Sequence, residues 1–230
     1  MKTVGIIGGM GPLATADLFR KTVMNTKASC DQEHIHLIID NNTNIADRTA
    51  ALLQGGADPY PEMKKSALLL QESGAEILMI PCNTAHAYYE RLSTEVSIPI
   101  LHMPEICCRV LREKGVRKAG LLSTMGTVQT GIYQKAASKY GIELLIPDDE
   151  GQRNVMDVVY NGVKAGKRDY DTTIYEKTVQ SLFDLGAETM ILGCTELPVA
   201  MEMYGLDFAC IDPTLELARE AIRLAGGETV

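Results

Sequence analysis

The sequence predicts an α/β protein of two similar lobes, each a parallel sheet flanked by helices, related by a pseudo-two-fold with the active site between them. Three observations carry this. Short apolar runs alternate with helix-length stretches along all 230 residues, the pattern of parallel strands joined by crossover helices. The apolar runs are continuous rather than alternating, as expected of strands buried on both faces. The order of pieces also repeats half a chain later: Val4-Gly5-Ile6-Ile7-Gly8-Gly9-Met10-Gly11 aligns with Ala119-Gly120-Leu121-Leu122-Ser123-Thr124-Met125-Gly126, Cys82 with Cys194, and Ile98–His102 with Phe208–Asp212. Matches in the same order and near-constant spacing indicate two copies of one unit. They are read as residues 1–115 and 116–230, with the helices over 104–114 and 213–226 as candidates to cross between lobes.

Taken in order, residues 2–7 read as the first strand. Gly8-Gly9-Met10-Gly11-Pro12 is a tight turn, with Pro12 suited to the first helical position, and a helix is expected to about Lys27. Residues 34–40 form a strand and 41–49 a polar loop. A helix over 58–73 ends at Gly74, a natural C-cap. Strand 77–80, helix 84–92, strand 98–102 and helix 104–114 complete the first copy. The second begins with strand 118–122 and helix 125–140, stopped by Gly141. Strand 143–146, helices over 149–164 and 170–185, strand 190–192, helix 196–203, strand 208–211 and helix 213–224 follow.

Composition narrows the function. The chain is 46% hydrophobic and 23% charged, with formal net charge −8, which disfavours nucleic acid or an anionic membrane as partner. An anionic small substrate remains compatible, since a pocket can be locally basic. No apolar run approaches the ~18 residues of a membrane span, and the N-terminus enters a strand-like run with no signal-peptide pattern; a cytoplasmic protein is expected. The six cysteines, Cys30, Cys82, Cys107, Cys108, Cys194 and Cys210, have neither zinc-ligand spacing nor the density of a disulfide scaffold. No metal is expected.

Two of these cysteines recur in matched settings. Gly74-Ala75-Glu76 precedes the strand that ends at Cys82, and Gly186-Ala187-Glu188 precedes the strand that ends at Cys194. Each thiol is thus expected at the carboxyl end of a parallel strand, where ligands bind, and at a helix start, which favours thiolate. Two such groups on opposite sides of a small ligand suit one reaction: one removes a proton from a carbon and the other delivers a proton to the opposite face, inverting the centre. Structural cysteines duplicated with the fold are the competing reading. Asn83-Thr84-Ala85 and Thr195-Glu196 add donors suited to a carboxylate. Arg48, on a polar loop, is suited to grip one bidentately, against the plainer reading of a solvated arginine.

At these residues the chain resembles the cofactor-independent aspartate/glutamate racemase family, in its aspartate racemase branch. The matching pieces are Gly8–Pro12 with Ala14-Thr15, Asp47-Arg48-Thr49, Pro81-Cys82-Asn83-Thr84-Ala85-His86, Gly162-Val163-Lys164-Ala165-Gly166 and Gly193-Cys194-Thr195-Glu196. The resemblance implies a PLP-independent racemase of L- and D-aspartate with no cofactor, usually a homodimer. It implies Cys82 and Cys194 as the acid–base pair and Arg48 and Lys164 as holders of the side-chain carboxylate. Met10, Asn83, Thr84, Ala85 and Thr195 would then line the α-carboxylate and α-amino positions. Thr124 and Thr127 join the candidates through internal symmetry with the first glycine turn. Lys164 also reads as a helix-end lysine, and His86 as a core histidine.

Other readings compete. A glutamate or broader acidic amino-acid racemase fits the same motifs, as does a related isomerase or decarboxylase. A non-catalytic amino-acid-binding protein would tolerate loss of either thiol. Gly9-Met10-Gly11-Pro12-Leu13-Ala14 matches the dinucleotide fingerprint of an NAD-dependent oxidoreductase, but Asp40 lies farther on than the usual ~20 residues and the second cysteine motif stays unexplained.

Overall fold

The computed structural model describes residues 1–230. In chain order the elements are β1 (Val4–Gly8), α1 (Pro12–Asn25), β2 (Leu37–Asn41), α2 (Arg48–Leu53), α3 (Tyr60–Glu72), β3 (Ile77–Met79), α4 (Tyr89–Ser93), α5 (Met103–Glu113), β4 (Lys118–Ser123), α6 (Met125–Thr130), α7 (Ile132–Tyr140), β5 (Glu143–Leu145), α8 (Asp149–Asp157), α9 (Thr173–Asp184), β6 (Thr189–Gly193), α10 (Glu196–Tyr204), β7 (Cys210–Ile211) and α11 (Pro213–Ala225). The chain forms two compact units, Met1–Ile106 with Thr214–Val230, and Cys107–Pro213. It leaves the first unit within α5 and returns to it at the start of α11.

Each unit holds one parallel sheet, ordered β2-β1-β3 in the first and β5-β4-β6-β7 in the second. In the first sheet Val4, Ile6, Ile77 and Met79 pack with Leu18 of α1 and with Leu217, Ala221 and Ile222 of α11. Ile7, Leu78 and Ile80 pack on the other side with Met63, Ala67 and Leu70 of α3. The split follows the two-residue alternation of a strand, and apolar side chains on both faces produce the continuous hydrophobic runs. In the second unit Leu122, Met190 and Leu192 pack with Val155 of α8 and with Val179 and Leu182 of α9.

The repeated Gly-Ala-Glu has a structural task in both units. Gly74 and Gly186 take φ of +96° and +93°, the left-handed turn that ends a helix. The next amides, Ala75 and Ala187, each donate 3.0 Å back to Leu70 and Leu182. Glu76 N–H donates to the Thr3 carbonyl at 2.8 Å and Glu188 N–H to that of Lys118 at 2.9 Å. Their carboxylates bond amides at the same strand entrance: Thr3 on Glu76, and both Arg117 and Lys118 on Glu188. The motif therefore stops a helix and fixes the register of the strand that leads to each cysteine.

Several expected elements differ. The strand expected over 98–102 shrinks to one bridge between Leu78 and Ile100, because Pro99 has no N–H to extend the ladder; β7 holds the matching position in the second sheet. The helix expected over 84–92 is a 3-10 turn, Thr84–Tyr88, followed by α4. The helix over 125–140 divides at Gly131, whose φ of +67° ends α6 before α7 begins. The polar loop hides α2, which Asp47 caps by accepting Ala50 N–H at 2.7 Å. Beyond α8 the helix continues as a π-helical turn, Val158–Val163.

Candidate active site

In the first unit the candidates gather at the carboxyl end of the sheet. Gly8 closes β1, and the turn after it is tightly packed. Gly9 has φ +90°, and a Cβ there would lie 2.2 Å from the Asn42 carbonyl oxygen. Its N–H donates to Thr15 Oγ1 at 2.9 Å, and that hydroxyl donates to the Gly11 carbonyl at 3.0 Å. Gly8 and Gly9 thus serve the turn's own packing against Thr15 and Asn42.

Met10, next in the turn, is buried, and its carbonyl accepts Arg48 Nη2 at 2.7 Å. Arg48 Nη1 donates to the Ala46 carbonyl at 3.0 Å. Arg48 is 9% exposed, so it is not a solvated loop arginine: two backbone carbonyls fix the guanidinium at the start of α2.

Cys82 follows β3 and is 6% exposed, packed in one apolar cluster with Met10 and Ala85; Asn83 and Thr84 are buried beside it. Its carbonyl faces His86 Nδ1 at 2.9 Å, while Met103 N–H donates to His86 Nε2 at 3.1 Å. The second bond requires a bare Nε2, so Nδ1 carries the proton and donates to Cys82. Burial, with His102 alongside, pushes His86 down to about 4, and the ring is neutral at physiological pH. His86 therefore holds the Cys82 backbone. It also occupies the carbonyl an α-helical amide would use, leaving His86 N–H to reach Asn83 in a 3-10 turn.

In the second unit β6 ends at Gly193, paired with Ser123 at the end of β4. Cys194 follows β6, and Thr124 and Thr127 follow β4, with their hydroxyls 3.2 Å apart. Gln152 Nε2 donates to the Ser123 carbonyl at 2.6 Å. Cys194 is 6% exposed, and its Sγ donates to Glu196 Oε2 at 2.9 Å. Thr195 Oγ1 donates to the same oxygen at 3.3 Å, and Lys164 Nζ lies 3.8 Å from Glu196 Oε1. The π-helical turn ends at Lys164, whose N–H reaches back to the Val159 carbonyl at 3.0 Å. Gly162 within it lets Tyr204 and Tyr170 approach, since a Cβ there would lie 2.9 Å from the Tyr204 hydroxyl.

Helix-start thiolate, expected at both cysteines, is not what Cys194 displays. Burial first, then the Glu196 charge and hydrogen bond, push this thiol well above its ordinary value, so it carries its proton. Glu196, read together with Thr195 as a source of donors for a carboxylate, instead turns its own carboxylate to the sulfur and accepts from it. An acidic residue in the first turn of a helix is commonplace, so the sequence held no signal for its contact with sulfur. Both thiols nevertheless stand at strand ends, one per unit, each with a cation in its own unit.

All six cysteines are free. No helix is long and apolar enough to cross a membrane, and no group of three or more His, Cys, Asp or Glu side chains is placed to hold a metal ion.

Residues 7–221 match the family model described as Asp/Glu/Hydantoin racemase. The chain belongs to this family. It is 28% identical over 229 residues to the broad specificity amino-acid racemase RacX of Bacillus subtilis (strain 168), covering 95% of this chain and 96% of that one. Among solved structures it superposes on Picrophilus torridus aspartate racemase with a TM-score of 0.83 and 31% identity, covering 100% of this chain and 96% of that one. An aspartate racemase homologue from Pyrococcus horikoshii OT3 gives 0.78 and 26%, covering 98% and 100%. These neighbours agree with the aspartate racemase branch, and family membership makes the protein an isomerase, an amino-acid racemase.

Proposed function

We propose that this racemase interconverts L- and D-aspartate with two thiols, Cys82 and Cys194, and no cofactor. The two sulfurs act on opposite faces of the substrate's α-carbon. One sulfur, as thiolate, takes the α-proton; the other, as thiol, protonates the opposite face; the roles exchange with the enantiomer. The electron pair left on the α-carbon spreads into the α-carboxylate. Asn83, Thr84, Ala85, Thr195 and the backbone at Met10 stabilise that charge by preorganised donation, with Thr124 and Thr127 completing the pocket. Arg48 and Lys164 hold the side-chain carboxylate. The enzyme acts in the cytoplasm as a homodimer.

The observation that carries this reading is the duplication itself: two units, each ending its sheet in a buried cysteine. Cations at Arg48 and Lys164 support an acidic substrate, and the name of the Picrophilus relative supports aspartate. The name of the Bacillus relative favours a second reading, a broader amino-acid range.

Deuterium wash-in at the α-carbon tests the proposal, run on L- and D-aspartate, on glutamate and on neutral amino acids, without added cofactor. Wild type is expected to exchange and invert aspartate fastest, while Cys82→Ser and Cys194→Ser each lose at least ~10³-fold in racemisation. Racemisation retained in either variant would sink the two-thiol mechanism, and a faster neutral substrate would select the broader range.

A further inference from the structure

Glu196 is nearly buried, its side chain 12% exposed, and three side chains converge on its carboxylate. Cys194 Sγ and Thr195 Oγ1 donate to Oε2, and the Lys164 ammonium stands by Oε1. Nothing in the two-thiol scheme above assigns it a task. Yet that scheme asks Cys194 to serve as a base, and Cys194 is a buried thiol facing a carboxylate.

We propose that Glu196 is the positioning residue that accepts the Cys194 proton, turning the thiol into the thiolate that attacks the substrate; this rests on the two-thiol reading above. The S–H bond breaks with its electron pair on sulfur, and an O–H bond forms at Oε2. The thiolate then takes the α-proton. The C–H electron pair stays on the α-carbon, and the opposing thiol protonates the other face. Glu196 afterwards releases its proton to solvent and the spent thiolate regains one from solvent, so protons and charge balance over a cycle. In the opposite direction Cys82 first gives its proton to solvent and Glu196 takes one from it; the Cys82 thiolate takes the α-proton, the Cys194 thiol protonates the other face, and Glu196 returns its proton to the Cys194 sulfur.

Charge accounting favours this route. A proton lost from Cys194 directly to water would leave thiolate and carboxylate 2.9 Å apart in a nearly buried site, a repulsive pair. Transfer to Oε2 only moves one negative charge from oxygen to sulfur, with Lys164 still beside it. The hydroxyls of Tyr133 and Tyr175, which feel the charge of Cys194, are themselves buried and held protonated, so neither supplies an alternative acceptor.

Glu196→Gln separates this from a passive role, because the two effects have opposite signs. Removing the negative charge eases ionisation of Cys194, so carboxamidomethylation at that residue by iodoacetamide, followed by peptide mass spectrometry, is expected to quicken ~10-fold at pH 8. Racemisation is expected to fall ~100-fold with KM within ~3-fold, and to climb ~10-fold per pH unit as hydroxide replaces the missing acceptor. Glu196→Asp, which keeps an acceptor, is expected to fall between wild type and Gln, and it carries the test should Gln fail to fold. Turnover in Gln that holds steady or rises with alkylation, or Asp no better than Gln, overturns the proposal while leaving an active wild type to support the two-thiol reading. A wild type inactive on every acidic amino acid overturns that reading first, and this inference with it.

Discussion

The two cysteines stand at matched places in repeated units, yet their surroundings act on different atoms. At Cys82 the neighbouring side chain holds the backbone: a neutral His86 ties the carbonyl to the Met103 amide. At Cys194 the neighbouring side chain holds the sulfur itself, through Glu196. The repeat preserved what brings a strand to its end, the helix stop and the glutamate tie, and let the turn beyond it diverge. A racemase tolerates such divergence. Because enantiomers have equal free energy, the specificity constants in the two directions must match whatever the two bases are, so nothing requires two identical proton holders.

The divergence is widest one strand away, at the turns after β1 and β4. Gly9 has φ +90° with the Asn42 backbone against it, whereas its counterpart Thr124 has φ −71° and ψ 155°, ordinary extended backbone. Gly9→Ala is therefore expected to cost about 3–5 kcal/mol, since strain and a backbone collision add. Thr124→Gly should cost about 1–2 kcal/mol, through chain entropy and the loss of a buried hydroxyl contact with Thr127. Urea unfolding followed by circular dichroism measures both. Equal losses would mean that the two turns are interchangeable and that the comparison fails.

Acid should distinguish the units next. His86 is lowered to about 4 in the fold against an ordinary ~6.5 in the unfolded chain. Between those values the unfolded state binds the extra proton, so stability falls as pH drops from ~6.5 to ~4 and levels off below, by about 3 kcal/mol in total. Hydrogen exchange at pH 5 is expected to quicken over 82–103 before 189–204, and the His86 ring to titrate near 4 by NMR. Loss of protection at Cys194 first, or a His86 midpoint near 6.5, would break the assignment.

How much of this was legible depended on whether a signal was local. The repeated Gly-Ala-Glu exposed β3, β6 and the cysteines that follow them, because helix stop, buried alanine and glutamate tie are all written in consecutive residues. Pro99 and Gly131 carried equally local signals, against a full strand and against an unbroken helix, but each sat inside a longer pattern that overrode it. His86 read as a core histidine and is buried as one; its hold on the Cys82 carbonyl and the Met103 amide reaches 17 residues along the chain and has no local signal. The grip of Glu196 on Cys194 and the approach of Lys164 depend on how α10 leaves β6 and on the π-helical turn after α8. Neither has a sequence signature of its own.

The two cations sharpen the comparison at the smallest energies. Arg48 is buried and bonded to the carbonyls of Met10 and Ala46, so it belongs to the fold as well as to the proposed carboxylate grip. The Lys164 side chain is 34% exposed, with a long 3.8 Å pairing to Glu196. Arg48→Met is expected to lose about 2 kcal/mol of stability, because buried carbonyls lose charged donors. Lys164→Met should cost about 1 kcal/mol or less, because the pairing is long and the ammonium a third exposed, although its partner carboxylate is nearly buried. For aspartate both should raise KM ~10-fold or more, the worth of one lost ionic contact to a bound carboxylate. Thermal unfolding and KM measured on the same preparations separate the two quantities. A Lys164→Met enzyme with unchanged KM would remove the second unit's cation from substrate binding, leaving it its structural contacts with Glu196 and the Tyr160 ring; an Arg48→Met enzyme of full stability would show that its carbonyl contacts are dispensable to the turn they join.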